Sequence, residues 1–454
     1  MKNTIKLFGI IAFVVVISFI ALSLIGCATT HTVSFSGMGA TGTVPPNQRV
    51  PADTGMILPG GEGLSLEDAV FSGWIRFVDG QVVSYNPGEN FIPTGRSHLR
   101  AHWKIETTDF NEVKGLVNQL VWIMNNAENN SNYIIEIQRD EMLPSFELFS
   151  YYNRENITIT LRGVGANRTI KHTENKDTVF YIYNGISLVI DNNITIDSSP
   201  PYGAIVVVSG GNLTMNSGSI ITGSGADTGV AVSSGTFIMN NGATITGIRG
   251  FVSTRMPARV NIRTRGNGVS LNGGTFTMNQ GATISNCNEQ GVVLGRYARS
   301  QTSTFIMNGG TISGNGGSVT VERGVSPPEI NGGGVAVFNG TFTMNGGLID
   351  NNVVAGRAGG VFVGTGSVFT MTGGEITRNS AKVYIDTTSG ERVGGSPGGL
   401  FVSEGATFNM SGGNIVTNTS DGTLLEPHNV VFFENPRTGA KAIVNRTGGN
   451  IHNY

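Results

Sequence analysis

The clearest pattern in the chain is a short alternation of apolar and polar positions that returns with a glycine at its end. Gly274-Thr-Phe-Thr-Met278-Asn-Gln-Gly281-Ala-Thr-Ile284 is one copy, and Gly340-Thr-Phe-Thr-Met344-Asn-Gly-Gly347-Leu-Ile349 is another. Seven copies are marked by Met215, Met239, Met278, Met307, Met344, Met371 and Met410, at intervals of 24, 39, 29, 37, 27 and 39 residues. Alternation with period two predicts a strand with one buried face. Phe276 and Met278 then point inward and Thr275 and Thr277 outward. A second short strand follows around each Ile. A third precedes many copies, as in Gly334-Val-Ala-Val337 and Gly360-Val-Phe-Val363. Three short strands per unit, separated by tight Gly or Asn turns, predict a parallel β-helix. Its coils bury their inward faces only by stacking on one another. The methionines form a ladder in that core. The residue after Met is Asn in five of the seven units and Ser or Thr in the other two, which reads as a corner ladder. Glycines supply positive φ at corners. The shortest interval is too short for a four-stranded propeller blade, and a two-strand coil of about 18 residues fits poorly. Roughly ten to twelve coils at about 4.8 Å each would give a stack about 50–60 Å long.

Upstream the pattern changes. Val113, Leu116, Val117, Leu120, Val121 and Met124 recur at helical spacing behind Asp109 and Glu112, the spacing of a capping box. One helix near 110–127 is expected to cap the open end of the stack. Residues 27–104 alternate in short apolar runs broken by Gly and Pro, which predicts a small β module. Phe71, Trp74, Tyr85, Phe91 and Trp103 supply its core. The chain thus divides into a leader at 1–26, a β module at 27–104, a capping helix with the strands that lead into the array at 105–149, and the β-helix at 150–454. The fold class is all-β.

The leader has Lys2 and Lys6, then an uncharged run from Leu7 to Gly26. That run is long enough to cross a bilayer as a permanent helix. Its end, Leu24-Ile25-Gly26-Cys27, resembles the bacterial lipobox. The resemblance implies cleavage before Cys27, lipid on that cysteine, and an extracytoplasmic protein held on a cell membrane or outer membrane. Cys287 is then unpaired, and a small buried residue is its expected role.

Two further resemblances bear on architecture. Val33, Phe35, Gly37, Gly39 and Ala40, then Pro59, Gly61, Gly63, Leu64, Phe71, Gly73 and Trp74, then Tyr85, Pro87, Gly88 and Pro93, then Leu99, Ala101 and Trp103, follow one order. That order resembles the InlB-type B-repeat, or Listeria–Bacteroides repeat. Asp68-Ala69 stands where that family has Gly-Tyr. The resemblance implies a β-grasp-like spacer or adhesion-associated module, not a catalyst. The repeat array resembles the pectin-lyase-like right-handed β-helix superfamily, which implies the fold but no one activity.

Composition narrows the function. Glycine is 66 of 454 residues, charged residues are 13%, and the formal net charge is −2. That balance excludes a strongly basic nucleic-acid binder. Two cysteines exclude a disulfide scaffold and a four-cysteine zinc site. No HExxH, GxSxG, P-loop or dinucleotide fingerprint is present. No metal or cofactor is expected. Hydrolysis on this fold needs clustered carboxylates. Asp191 and Asp197 are close in sequence, and Asp350, Glu375 and Asp386 lie in neighbouring units as the weak catalytic candidates. Arg255, Arg259, Arg263, Arg265, Arg296 and Arg299 are the one concentration of positive charge, in two segments expected to project side by side as a patch for an anionic ligand. The expected function is a non-catalytic envelope scaffold for adhesion or for binding glycan or protein, with a polysaccharide lyase or glycoside hydrolase as the alternative. A smooth flank of Thr, Asn and Ser without a carboxylate cluster would favour the scaffold.

Overall fold

The structure is a computed structural model. It describes residues 29–78, 81–149, 154–172, 178–198, 203–250, 252–255, 260–263, 266–296, 301–316, 331–385, 392–395, 397–420 and 429–452. The chain forms two compact units that divide between Glu106 and Thr107.

The first unit is built on a five-stranded sheet. Its spatial order is Gln48–Pro51, Thr30–Ser36, Ser97–Lys104, Val70–Val78, Gln81–Tyr85. First and last strands of the module pair in parallel at its centre, Phe35 opposite Leu99, and the other pairings are antiparallel. Val33, Trp74, Leu99, Ala101 and Trp103 fill one side of the sheet. The aromatic rings meet edge to face, Phe35 on Trp74 at 4.9 Å and Phe71 on Trp103 at 5.5 Å. Each buried indole needs an acceptor. Trp74 Nε1 donates to the Pro59 carbonyl at 2.7 Å, and Trp103 Nε1 to that of Gly37 at 2.9 Å.

The second unit opens with a short turn and a helix that sequence spacing had merged. Asp109 accepts from the Asn111 N–H, but it caps only the 3₁₀ turn Phe110–Glu112. Glu112 takes the Thr107 hydroxyl at 2.6 Å instead of closing a capping box. Gly115, at φ 81, separates that turn from the α-helix Leu116–Asn126. Trp122 and Tyr133 meet at 5.9 Å, so the helix packs on the first coil.

The rest is a parallel β-helix with three ladders, the second of which is an 11-stranded sheet. The first ladder runs from Asn132–Ile137 through Thr275–Met278 to Ile443–Arg446. The second runs from Glu141–Leu143 through Thr283–Ser285 to Asn450–Ile451. The third runs from Phe146–Leu148 through Val335–Val337 to Val430–Phe432. Eleven coils at about 4.8 Å give a stack about 50 Å long.

Register puts like on like. Phe237, Phe276, Phe305, Phe342 and Phe369 stack with ring centroids 4.7–4.8 Å apart and near-parallel planes. Met215, Met239, Met278, Met307, Met344, Met371 and Met410 form one buried column. A column of isoleucines runs from Ile170 to Ile451 on the second ladder. Gly310, at φ 85, shows why the corner after the methionine repeats glycine: a β-carbon there would also lie 2.9 Å from Met278 Cε of the coil before. Among the described residues of the ladders, charges stand at core register positions only at the two ends, Glu141 beside Ile170 and Arg446 beside Met410. A charge that reaches water there ends the apolar columns without a desolvation cost.

Candidate binding face

The insertions that make the methionine spacing irregular leave the coil at identifiable corners. The hairpin Val252–Arg255/Val260–Arg263 sits between the second and third ladders. So does the pair Ser380–Ile385/Arg392–Gly394. The segment carrying Arg296 instead leaves between the third and first ladders, after Val292–Leu294. The two arginine segments are therefore rooted at different corners, on either side of the third ladder, and not at one flank as their sequence order had suggested. Spacing along the chain counts residues per turn but does not say which corner holds the extra ones.

Arg296 lies over the Phe338 ring at 5.6 Å and 3.6 Å from Glu289. Arg357 lies over Phe401 at 5.1 Å. Phe362 and Phe401 are 7% and 4% exposed. Over the coils from Ser270 through Val293, Ala336 and Phe362 to Phe401, the outward row of the third ladder is buried by packing. Arg259, Arg265 and Arg299 lie outside the described residues, as do Cys27 and Asp386, and of Arg255 and Arg263 only the backbone is described.

Two of the carboxylate candidates, Asp350 and Asp191, are held by cations. Asp350 and Glu375 sit on adjacent strands of the second ladder, two register positions apart. Both Asp350 oxygens accept from Arg378, at 2.8 Å each. Asp191 accepts from Arg162 at 2.9 Å and from Asn216 at 3.1 Å. Burial pushes the Asp191 carboxyl up, but the hydrogen bonds from Arg162, Asn216 and the Asn192 backbone outweigh it and hold the group below its ordinary value. No group of three His, Cys, Asp or Glu suited to a metal occurs among the described residues. Cys287 is fully buried, and burial pushes its thiol up to about 12. A cleft of 510 Å³ between the helix and the first coil is lined by Lys114, Glu136, Arg139 and Glu141 together with apolar side chains.

The first ladder presents a different surface. Its two outward rows follow from the register. One passes through Thr158, Ser187, Asn212, Thr236, Thr275, Thr304, Thr341, Val368 and Thr407. The other passes through Thr160, Val189, Thr214, Ile238, Thr277, Ile306, Thr343, Thr370 and Asn409. Every one of these residues is half-buried or exposed, and none is charged. Rows two residues apart on a strand are about 6.7 Å apart, and successive coils about 4.8 Å. β-Branched residues suit this pleated surface.

Along one border of the face runs the asparagine column expected from sequence. Asn240 Nδ2 donates to Asn216 Oδ1, Asn279 to Asn240, Asn308 to Asn279 and Asn345 to Asn308, at 2.9–3.1 Å. Thr372 continues it by donating to Asn345 at 3.0 Å.

A second asparagine column escaped the sequence reading. Asn315, Asn352, Asn379, Asn418 and Asn429 are buried at the corner after the second ladder. Asn352 Nδ2 donates to Asn379 Oδ1 and to the Ile312 carbonyl, while its Oδ1 accepts the backbone and side-chain N–H of Asn315. The signal was present: Asn315, Asn352, Asn379 and Asn418 each lie three residues after the core isoleucine. The residue between adopts left-handed φ, as Gly314, Asn351, Arg378 and Thr417 do. Cys287 holds the same position one coil earlier, its N–H donating to Asn315 Oδ1. Comparison with family models, curated proteins and solved structures finds no match to this chain.

Proposed function

We propose that the chain is an extracytoplasmic lipoprotein, tethered through Cys27, whose β-helix is a non-catalytic scaffold for binding glycan or a surface protein. The observation that carries this reading is the open face of the first ladder, smooth and uncharged over successive coils and bordered by amides. Such a surface offers hydrogen bonds and apolar contact, but neither the acid nor the base that glycoside cleavage requires. The engagement of Asp350 by Arg378 supports it, because an ion-paired carboxylate is a poor general base. The leader supports the tether, since a lipid-bearing Cys27 would hold the body at a membrane. The order of Gly, Pro and aromatic residues in 33–103 supports an InlB-type B-repeat as a spacer between tether and scaffold.

The test is a glycan-array and surface-protein binding screen of the chain from residue 28 onward, with lyase and hydrolase assays on the same material. Specific binding without turnover is expected. Turnover that Glu375→Gln abolishes would replace this reading with the polysaccharide-active enzyme. Metabolic labelling with a fatty acid checks the tether: label is expected on the native chain and absent from Cys27→Ser.

A further inference from the structure

The asparagine border of the first ladder narrows the ligand further. An amide has two N–H donors and two acceptor lone pairs. In this column each Asn spends one N–H on the preceding Asn and one lone pair on the following one. One donor and one acceptor per coil are left over, on residues that are half-buried or exposed. A hydroxyl group both donates and accepts, so a leftover donor and acceptor on one amide match a hydroxyl-bearing ligand. All the ladder bonds point the same way, each Nδ2 toward the coil before. The same order of donor and acceptor therefore repeats at every coil, about 4.8 Å apart.

We infer that this face binds an uncharged, hydroxyl-rich polymer, a neutral glycan chain lying along the stacking axis, with the column Asn240 to Asn345 as its hydrogen-bonding edge. This rests on the binding reading above and deepens it. An anionic polymer would find no opposite charge among the outward residues from Thr158 to Asn409. A protein partner is the poorer fit, because protein interfaces draw most of their affinity from clustered aromatic and Arg anchors and these rows carry none. A polymer that repeats one contact per coil gains affinity with length, since each added unit binds at high effective concentration.

The test titrates the full chain, solubilised in detergent, with oligomers of increasing length from an uncharged β-linked glucan and with polygalacturonate as the charged comparison. Affinity for the neutral series is expected to rise with length and to stay within about twofold between low and physiological salt, since no charge is there to screen. Thr277→Arg places a charge in the middle of the face and is expected to abolish binding. Asn308→Ala is expected to weaken it about tenfold, the scale of one to two lost hydrogen bonds. Thr283→Arg, outward on the second ladder, is expected to leave it unchanged. Cooperative unfolding of each variant shows that it is folded. Preference for polygalacturonate with steep salt dependence overturns the inference but leaves a glycan-binding scaffold standing. So does neutral-glycan binding indifferent to Thr277→Arg. Failure of the folded chain to bind any glycan overturns the inference, and failure to bind any glycan or protein overturns the binding reading with it.

Discussion

The two asparagine columns use one residue type for opposite ends. In the inner column, from Asn315 to Asn429, every amide position of Asn352 is taken, and from Asn352 onward each Oδ1 accepts twice from the preceding Asn. Its donors point to the following coil, and its members are at most 4% exposed. In the outer column, from Asn216 to Asn345, each amide bonds once in either direction, donors point to the preceding coil, and the side chains reach solvent. The same spacing along the coil axis serves both. Burial makes the difference: inside, an unmet polar atom costs its full desolvation, so the network closes on itself. Outside, water meets what is left over, and that spare capacity is open to a ligand.

The comparison breaks most sharply at Asn352. Asn352→Ala orphans the buried Asn315 N–H and the Ile312 carbonyl together, and each such loss costs about 1–3 kcal/mol. A loss of about 4 kcal/mol is expected in urea unfolding. Next is the glycine that lets the inner column approach the third ladder. A β-carbon at Gly360 would lie 2.6 Å from the Gly399 carbonyl oxygen and 2.8 Å from Ile376 Cγ2. Gly360→Ala is expected to cost about 2 kcal/mol by overpacking, measured the same way. Here glycine is needed for close approach, whereas sequence reasoning had assigned the corner glycines to positive φ. Asn308→Ala in the outer column is expected to cost less than about 1 kcal/mol, because water replaces the lost bonds. A cost like that of Asn352→Ala would erase the distinction between the columns.

The smallest effect is at Asp191, which heads the outer column. Its folded carboxyl is held below the ordinary value. Its contribution to stability is therefore present above the unfolded carboxylate pKa and is lost as pH falls through the lowered folded value. Asp191→Asn is expected to lower stability slightly at neutral pH and to flatten the fall in acid, as unfolding midpoints across that range would show. The effect is small because the Arg162 side chain is 40% exposed and the pair is screened by water.

The parallel coil was legible from particular residues. Phe276, Met278 and Ile284 repeat with their flanking threonines, and only stacking can bury them. The outer Asn that follows Met in five of the seven units was legible for the same reason. The inner column was not, because it begins as Ile248 and Cys287 before it becomes Asn, and its members stand next to residues as unlike as Gly314 and Arg378. What makes them equivalent is a backbone turn, and a turn with left-handed φ accepts several residue types. The carboxylate candidates were visible as acids in neighbouring units, but their partners Arg378 and Arg162 were not, since each sits on another coil.

Sequence by itself determined what stacks. Period-two alternation along each strand, with Met and the core Ile five or six residues apart, sets which side chains face the interior, because a one-residue slip within a strand would turn its apolar residues to water. Tertiary structure alone decided where the insertions leave the coil, which ladder is left open, and which asparagines are satisfied on all sides. Those depend on which coil lies above which, and that is set by packing between residues some 24 to 42 positions apart, as in the Asn240–Asn216 and Asn418–Ile376 bonds.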